Sequence, residues 1–321
     1  MNVMEALLEK YQVRKNRKQK DEFINFASEQ FKALGYEFEI NENPEGFKSR
    51  NLIVGDIDKA KVIFTAHYDT CARMPFPNFC TPLNPLLFIL CQILIALPIM
   101  ILVFGVSYFS ARIISSIHIE NELFYLLFPY AVLLFNLSIC MAIILLMMIG
   151  PANKHTANDN TSGISTLFEI MKKLSKEQKD KAAFVFFDHE ELGLIGSSYF
   201  AKCYGSRVAD KLVVNFDCVS DGKNFLFACR KNTKNNRYYQ KLVDSFNGAL
   251  SDKSEQVIFT SKAIYMSDQL RFINGVGVAA LNKGRTGLYL SKIHTSKDIV
   301  FDEENIAILS NGAVEFVNEI D

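Results

Sequence analysis

Residues 186–200, FFDHEELGLIGSSYF, pass abruptly from apolar to acidic: Phe187 is followed by Asp188, His189, Glu190 and Glu191, and the chain then turns at Gly193. Adjacent carboxylates repel, and burying them without a cation is costly. An apolar strand that stops there is either bathed by water or holds something positive. The pattern recurs, for VIFTAHYDT ends on His67 and Asp69, and VVNFDC ends on Asp217. Asp159, in ANDNTSG, stands at the mouth of a helical stretch, and His294 lies in SKIHTSKD. Two histidines and several carboxylates are the ligand chemistry of zinc or a similar divalent ion. Spaced two apart on a strand, His67 and Asp69 leave the same face. Asp69 is therefore expected to hydrogen-bond the His67 nitrogen turned away from metal and to fix its tautomer. Taken singly, each residue has a plainer explanation: a surface His-x-Asp pair, a solvated helix start at Glu190–Glu191, a turn or cap at Asp159, a loop histidine at His294. Their joint placement favours a metal centre, because ligands of open α/β sheets bind at the carboxyl ends of strands.

The elements that must position these residues alternate. KQKDEFINFASEQFKALGY places Phe23, Phe26, Ala27, Phe31 and Leu34 on one helical face. NLIVGDI and KVIFTAHYD follow as short strands. TSGISTLFEIMKKL, with a Thr/Ser start and an apolar stripe at Ile164, Leu167, Ile170 and Met171, suits a helix. AAFVFF, LVVNF, FLFAC, QVIFTS and GVAALN predict further strands; RYYQKLVDSFNGAL and the acid-capped DEENIAILSNGAVEFVNEI predict helices. Strands apolar on both faces, alternating with helices, predict an α/β fold with a mixed, mainly parallel central sheet sandwiched by helices.

Between the two halves lies a different kind of chain. No charged residue occurs from Met74 to Ala111, or from Leu123 to Asn153. Each run exceeds the roughly 20 apolar residues that cross a bilayer. The expected arrangement is a transmembrane hairpin inserted at 74–153, with spans at about 86–109 and 123–149. Residues 1–73 and 154–321 would then form a single catalytic domain on one side of the membrane. Arg73, Lys154 and the early RKNRKQK stretch favour the cytoplasmic side. That stretch reads as a solvated helix end or a contact to anionic lipid. The start, MNVMEALLEKYQVRKNRKQK, is expected to be helical throughout.

With 35 basic and 35 acidic residues there is no bulk charge for nucleic acid. Seven cysteines, irregularly spaced and without a CxxC, predict free thiols in a reducing compartment. Two spans without charge offer no polar path, which argues against a transporter.

Six blocks in order, AHYDT, NDNTSG, FFDHEELGLIGSSYF, NFDCVSDG, MSDQLRFINGVGVAAL and IHTSKD, resemble the zinc-dependent exopeptidases of the bacterial leucyl aminopeptidase type, the M28 metallopeptidases. The resemblance spans about residues 50–73 and 154–320. It implies two zinc ions about 3.5–4 Å apart and a peptide substrate. Asp159 would bridge the ions, His67 and Asp217 would complete one site, and Glu191 and His294 the other. Glu190 would be the general base, and a cis peptide would follow Asp159. Ile293 stands where some relatives place a tyrosine that steadies the tetrahedral intermediate, so Tyr265 or Tyr289 is the candidate substitute. His189 replaces a frequent glycine and reads as a strand-end surface residue. The expected activity is a membrane-tethered aminopeptidase. Glutaminyl cyclase-like acyl transfer with one zinc, a carboxypeptidase or dipeptidase, and a receptor-like binding module are the alternatives. The hairpin would hold the catalytic edge near the bilayer, restricting large folded substrates.

Overall fold

The computed structural model of the chain describes residues 2–46, 48–74, 78–116, 122–251 and 256–321. The described strands, β1 (Phe38–Glu42), β2 (Arg50–Val54), β3 (Val62–His67), β4 (Ala182–Phe187), β5 (Leu212–Phe216), β6 (Asn224–Cys229), β7 (Gln256–Thr260), β8 (Gly275–Gly284) and β9 (Gly287–Tyr289), form one sheet. Its order is β1-β2-β4-β3-β5-β8-β6-β7, with β9 paired to β8. The centre, β4-β3-β5-β8, is parallel. Antiparallel pairings join β2 to β4 and β6 to β8 at its flanks. β3, β4 and β5 are buried along their whole length, as uninterrupted apolar runs require when helices cover both faces.

Helices α1 (Val3–Glu9), α2 (Arg17–Ala33), α5 (Gly163–Lys173), α8 (Tyr239–Leu250) and α9 (Glu303–Glu319) lie on one face, where Phe31, Ile164, Phe246 and Phe316 pack with Phe64 and Phe184. On the other face, Phe200 and Val208 of α7 (Ile195–Val208) meet Ile63, Val185 and Val213. The short α6 (Lys176–Lys179) leads into β4. Even and odd positions of each central strand thus point to separate apolar layers, and the predicted sandwich is the observed fold.

Several local expectations need correction. The first twenty residues are two helices rather than one, because Asn2 and Asn16 each open a capping box and the intervening segment is irregular. Arg14 and Lys20, read as part of a solvated or lipid-facing basic stretch, are 0% and 3% exposed. The edge strand β1 and the helix α7 were not expected. Ser162 makes no capping hydrogen bond at the start of α5; its hydroxyl donates instead to the Asn158 carbonyl, 2.6 Å away.

Two helices are long and apolar enough to cross a membrane: α3 (Pro85–Ser115) and α4 (Glu122–Ile149), of mean hydropathy 3.0 and 2.8. Their apolar surface is left open: Val103 and Ser107 are the buried residues of α3, and α4 has none among the described residues. The first runs on to Ser115, past the expected end of its span, and carries Arg112 in its last turn. Part of the expected connection between them, residues 117–121, lies outside the described residues. The Ser107 hydroxyl bonds the Asn136 side chain across the pair.

The roots of this hairpin are stitched into the body. Ala72 pairs with Ala152 in an antiparallel bridge, Arg73 N–H donates to Pro151 O at 2.8 Å, and Met74 N–H donates to His294 O at 2.8 Å. Lys15 Nζ donates to Met148 O at 2.8 Å, placing a cation at the carboxyl end of α4, where the helix dipole is negative.

Candidate metal centre

Parallel pairing of β4, β3 and β5 puts the ends of three neighbouring strands at one edge. His67 is the last residue of β3, Asp217 follows β5, and the turn after β4 carries Glu190 and Glu191. Asp159 enters from the segment before α5 and lies between the two histidines. His67 Nε2 is 3.3 Å from Asp159 Oδ1 and 3.8 Å from Asp217 Oδ1. His294 Nε2 is 3.0 Å from Asp159 Oδ2 and 3.2 Å from Glu191 Oε2. The two oxygens of one carboxylate therefore face two different imidazoles. Glu190 lies beside His67 and Glu191, their ligand-type atoms within 4.8 Å of one another. All the residues singled out by the strand-end pattern meet here.

The segment around Asp159 is fixed from several directions. Asn160 Nδ2 donates to Phe216 O at 2.9 Å, and its Oδ1 accepts from Gly163 N–H and Cys218 N–H at 3.1 and 3.3 Å. Asn158 Oδ1 accepts from Ser220 N–H and Asp221 N–H at 2.7 and 3.1 Å. A Cβ on Gly163 would stand 2.3 Å from Phe216 O, so only glycine lets α5 begin this close to the end of β5. The Asp159–Asn160 peptide is cis. His189, Cys218 and His294 adopt φ of 55°, 58° and 62°. For residues other than glycine that left-handed geometry costs about 1–2 kcal/mol each, and each of the three is a site residue or adjoins one.

Asp69 sits beside His67 as expected and has a second job. His67 Nδ1 contacts the backbone oxygen of Asp69 at 3.2 Å, which fixes the tautomer with Nε2 toward the centre. The Asp69 carboxylate lies 3.7 Å from that same ring nitrogen and accepts hydrogen bonds from Glu190 N–H and Glu191 N–H at 2.9 and 3.2 Å. It holds the acidic turn in place.

Three residues were missed. Asp298, 1% exposed, accepts from Asn158 N–H at 2.8 Å and Asp159 N–H at 3.1 Å. Lys20 Nζ pairs with Asp188 Oδ1 at 2.5 Å, both side chains buried; Asp188 also accepts from Arg50 N–H and His189 N–H. Arg14 runs behind the centre, donating to Tyr68 O at 2.5 Å and to Thr161 Oγ1 at 3.3 Å. RKNRKQK reads as a solvated or lipid-facing stretch, and Asp298 stands in the block IHTSKD without a role assigned to it. Of the tyrosines considered as oxyanion partners, Tyr265 is buried and gives its hydroxyl to Asp217 O at 2.9 Å. Tyr289 stacks on Phe79 at 5.2 Å between ring centroids. His189 is half-buried and lies 3.8 Å from Asp188, in keeping with a strand-end position.

The electrostatics show a cluster seeking positive charge. Burial opposes protonation of His67, yet Glu190, Asp159 and Asp217 outweigh it and hold its pKa well above the usual value. His294 is raised to about 9, burial being outweighed by Glu191 and Asp159. Burial, with Asp268, Glu191 and Asp217 nearby, holds the Glu190 carboxyl well above the carboxylate range. Burial also lifts Glu191 to about 8 and Asp298 to about 8. Glu191 Oε1 is buried and has no hydrogen-bond partner among the described residues. Carboxylate oxygens and imidazole nitrogens crowded this closely, with one oxygen left unpaired, fit a divalent cation.

A cleft of about 360 Å³ opens beside the centre, lined by Asp69, Glu191 and His189 together with Lys15, Met148 and Gly150. One wall is therefore the end of α4.

A profile of peptidase family M28 matches residues 146–315. No curated protein matches the chain in sequence. Solved structures share its fold at low identity. A glutaminyl cyclase of Bacteroides thetaiotaomicron bound to N-acetylhistamine is 14% identical at a TM-score of 0.59, over 99% of this chain and 96% of that one. A Zn-dependent exopeptidase of Parabacteroides distasonis is 15% identical at 0.59, over 99% and 96%. A leucine aminopeptidase precursor of Bacteroides thetaiotaomicron is 14% identical at 0.57, over 99% and 95%. With the profile covering more than half of its length, the chain belongs to peptidase family M28.

Proposed function

We propose that this protein is a membrane-tethered zinc exopeptidase with two ions, acting as an aminopeptidase on peptides. The observation that carries the reading is Asp159, whose two oxygens face His67 and His294 at 3.3 and 3.0 Å. His67, Asp159 and Asp217 would hold one ion; Asp159, Glu191 and His294 would hold the other. When bound, such ions lower the pKa of water and polarise a carbonyl oxygen. The chain's own residues do the rest. Positive charge in the cluster would offset the neighbouring carboxylates and favour the ionised form of Glu190. Fixed through its N–H to Asp69, Glu190 then takes a proton from the attacking water at its carboxylate and returns it to the leaving nitrogen. Asp69 sets the position of that carboxylate, and the His67 Nδ1 contact keeps the Nε2 lone pair turned inward. Residues 1–73 and 154–321 act as a single catalytic domain, and 74–153 as an inserted anchor. α3 and α4 span the bilayer, with the catalytic domain on the cytoplasmic side as Arg73 and Lys154 favour. Since the end of α4 walls the cleft, short peptides and chain ends near the membrane are the favoured substrates.

The similarity to glutaminyl cyclases supports a second reading, acyl transfer with one metal. The test is hydrolysis of aminoacyl and N-blocked aminoacyl reporters by detergent-purified protein, with and without chelator, beside Glu190→Gln. The aminopeptidase predicts activity on the free amine alone, lost to chelator, and lowered about 100- to 10,000-fold in the variant with metal retained. Cyclisation of N-terminal glutamine without reporter hydrolysis would replace it with the second reading.

A further inference from the structure

Cys71 has no part in the centre described above, yet it is 3% exposed and belongs to none of the apolar clusters of the described residues. A buried free cysteine ordinarily behaves as a small hydrophobe. This one faces ligands instead: its sulfur and the ligand-type atoms of Glu191 and His294 all lie within 4.8 Å of one another. Glu191 Oε1 and His294 Nδ1 are both buried without a hydrogen-bond partner among the described residues. Backbone bonds hold the thiol in register with them. Asn153 N–H donates to Cys71 O at 3.2 Å, and Met74 N–H, three residues on, donates to the carbonyl of His294 itself at 2.8 Å.

We propose that Cys71 is a thiolate ligand of the ion held by Glu191 and His294. The inference rests on the two-ion reading and goes beyond it, because it makes the two positions chemically unequal. His67, Asp159 and Asp217 offer only nitrogen and oxygen, which accept zinc, cobalt or manganese. Adding sulfur to Glu191, His294 and Asp159 gives a softer set that selects zinc and rejects magnesium or manganese. Binding forms a metal–sulfur bond and releases the thiol proton to solvent, since a coordinating thiol is deprotonated outright. The second position is then the tightly held ion and the first the exchangeable one.

The full-length protein in detergent, stripped of metal and titrated with cobalt alone, tests this. The expected result is a near-ultraviolet thiolate-to-cobalt charge-transfer band in the wild type. Cys71→Ser and Cys71→Val should lose it while still binding cobalt, with roughly one proton fewer released per chain. Cys218, which donates to Asp217 Oδ1 at 3.0 Å, is the other sulfur near the centre, so a band that survives in both Cys71 variants overturns the assignment. Cobalt bound without a thiolate band in the wild type overturns it too, while leaving the histidine–carboxylate centre standing. Failure to bind cobalt at all overturns both. A measurement free of folding effects is zinc-edge X-ray absorption of the wild type loaded with zinc. A sulfur neighbour at about 2.3 Å is expected, and a shell of nitrogen and oxygen alone contradicts the proposal.

Discussion

Asp298→Asn and Asp298→Ala isolate the brace under Asp159. The native carboxylate accepts from two buried donors, Asn158 N–H at 2.8 Å and Asp159 N–H at 3.1 Å. A buried donor left without an acceptor costs about 1–3 kcal/mol. Alanine strands both donors, for about 2–6 kcal/mol. Asparagine keeps one acceptor oxygen and turns its amide against the other N–H, which costs about 1–3 kcal/mol. The same bonds fix the backbone from which Asp159 reaches both histidines, so metal affinity should fall as well. Loss of a group that orients a ligand typically lowers affinity about 10- to 100-fold, or about 1.4–2.8 kcal/mol. The assays are urea denaturation of detergent-purified protein in chelator, which reads the hydrogen bonds alone, and competition of a chromophoric chelator for zinc, which reads the site. Asparagine should rank between wild type and alanine in both. Stability within about 0.5 kcal/mol of wild type together with unchanged zinc affinity would refute the brace.

Lys20→Met leaves Asp188 buried beside backbone N–H groups without its cation, 2.5 Å away in the native protein. It should cost about 3–5 kcal/mol in the same denaturation assay, and Lys20→Met with Asp188→Asn should recover part of that loss. Asp302 caps α9, accepting from Glu304 N–H at 2.9 Å, and pairs with Lys223 at 2.8 Å. Asp302→Ala should cost about 1 kcal/mol. Burial pushes the Asp302 carboxyl up, but Lys223 and the cap N–H groups outweigh it, so its pKa is lowered in the folded chain. The stabilisation is thus fully present above the unfolded pKa of about 3.9 and is lost as pH falls through the folded value. Denaturation curves of wild type and variant should differ at neutral pH and converge in acid.

Part of the centre was legible because His67, Glu190, Glu191 and Asp217 sit at strand ends, while Asp159 and His294 come from connecting segments. Once VIFTAH, AAFVFF and LVVNF are read as neighbouring parallel strands, His67, Glu190, Glu191 and Asp217 fall on one edge with no further information. What supports them was not legible, since those contacts join distant parts of the chain. Lys20 and Asp188 are 168 residues apart, and Asp298 and Asp159 are 139 apart. Lys20 lies in a polar, basic stretch that pattern reading assigns to the surface, and no local signal ties Asp298 to Asp159 or Asp188 to Lys20. Asp69 was legible in part: its place beside His67 follows from the local sequence, whereas its bonds to Glu190 N–H and Glu191 N–H, 121 and 122 residues away, do not. The α7 segment escaped notice because it starts at Leu194 in the left-handed region with no capping side chain. β1 escaped because FEINE, an edge strand, is largely polar and open to solvent.

Anomalous scattering at the zinc edge, from crystals of the full-length protein grown with zinc, tests the central claim most directly. The account predicts two peaks about 3.5–4 Å apart, one on each side of Asp159, with Glu190 touching neither. A single peak bound by Asp159, Glu191 and His294, or peaks away from Asp159, would contradict it.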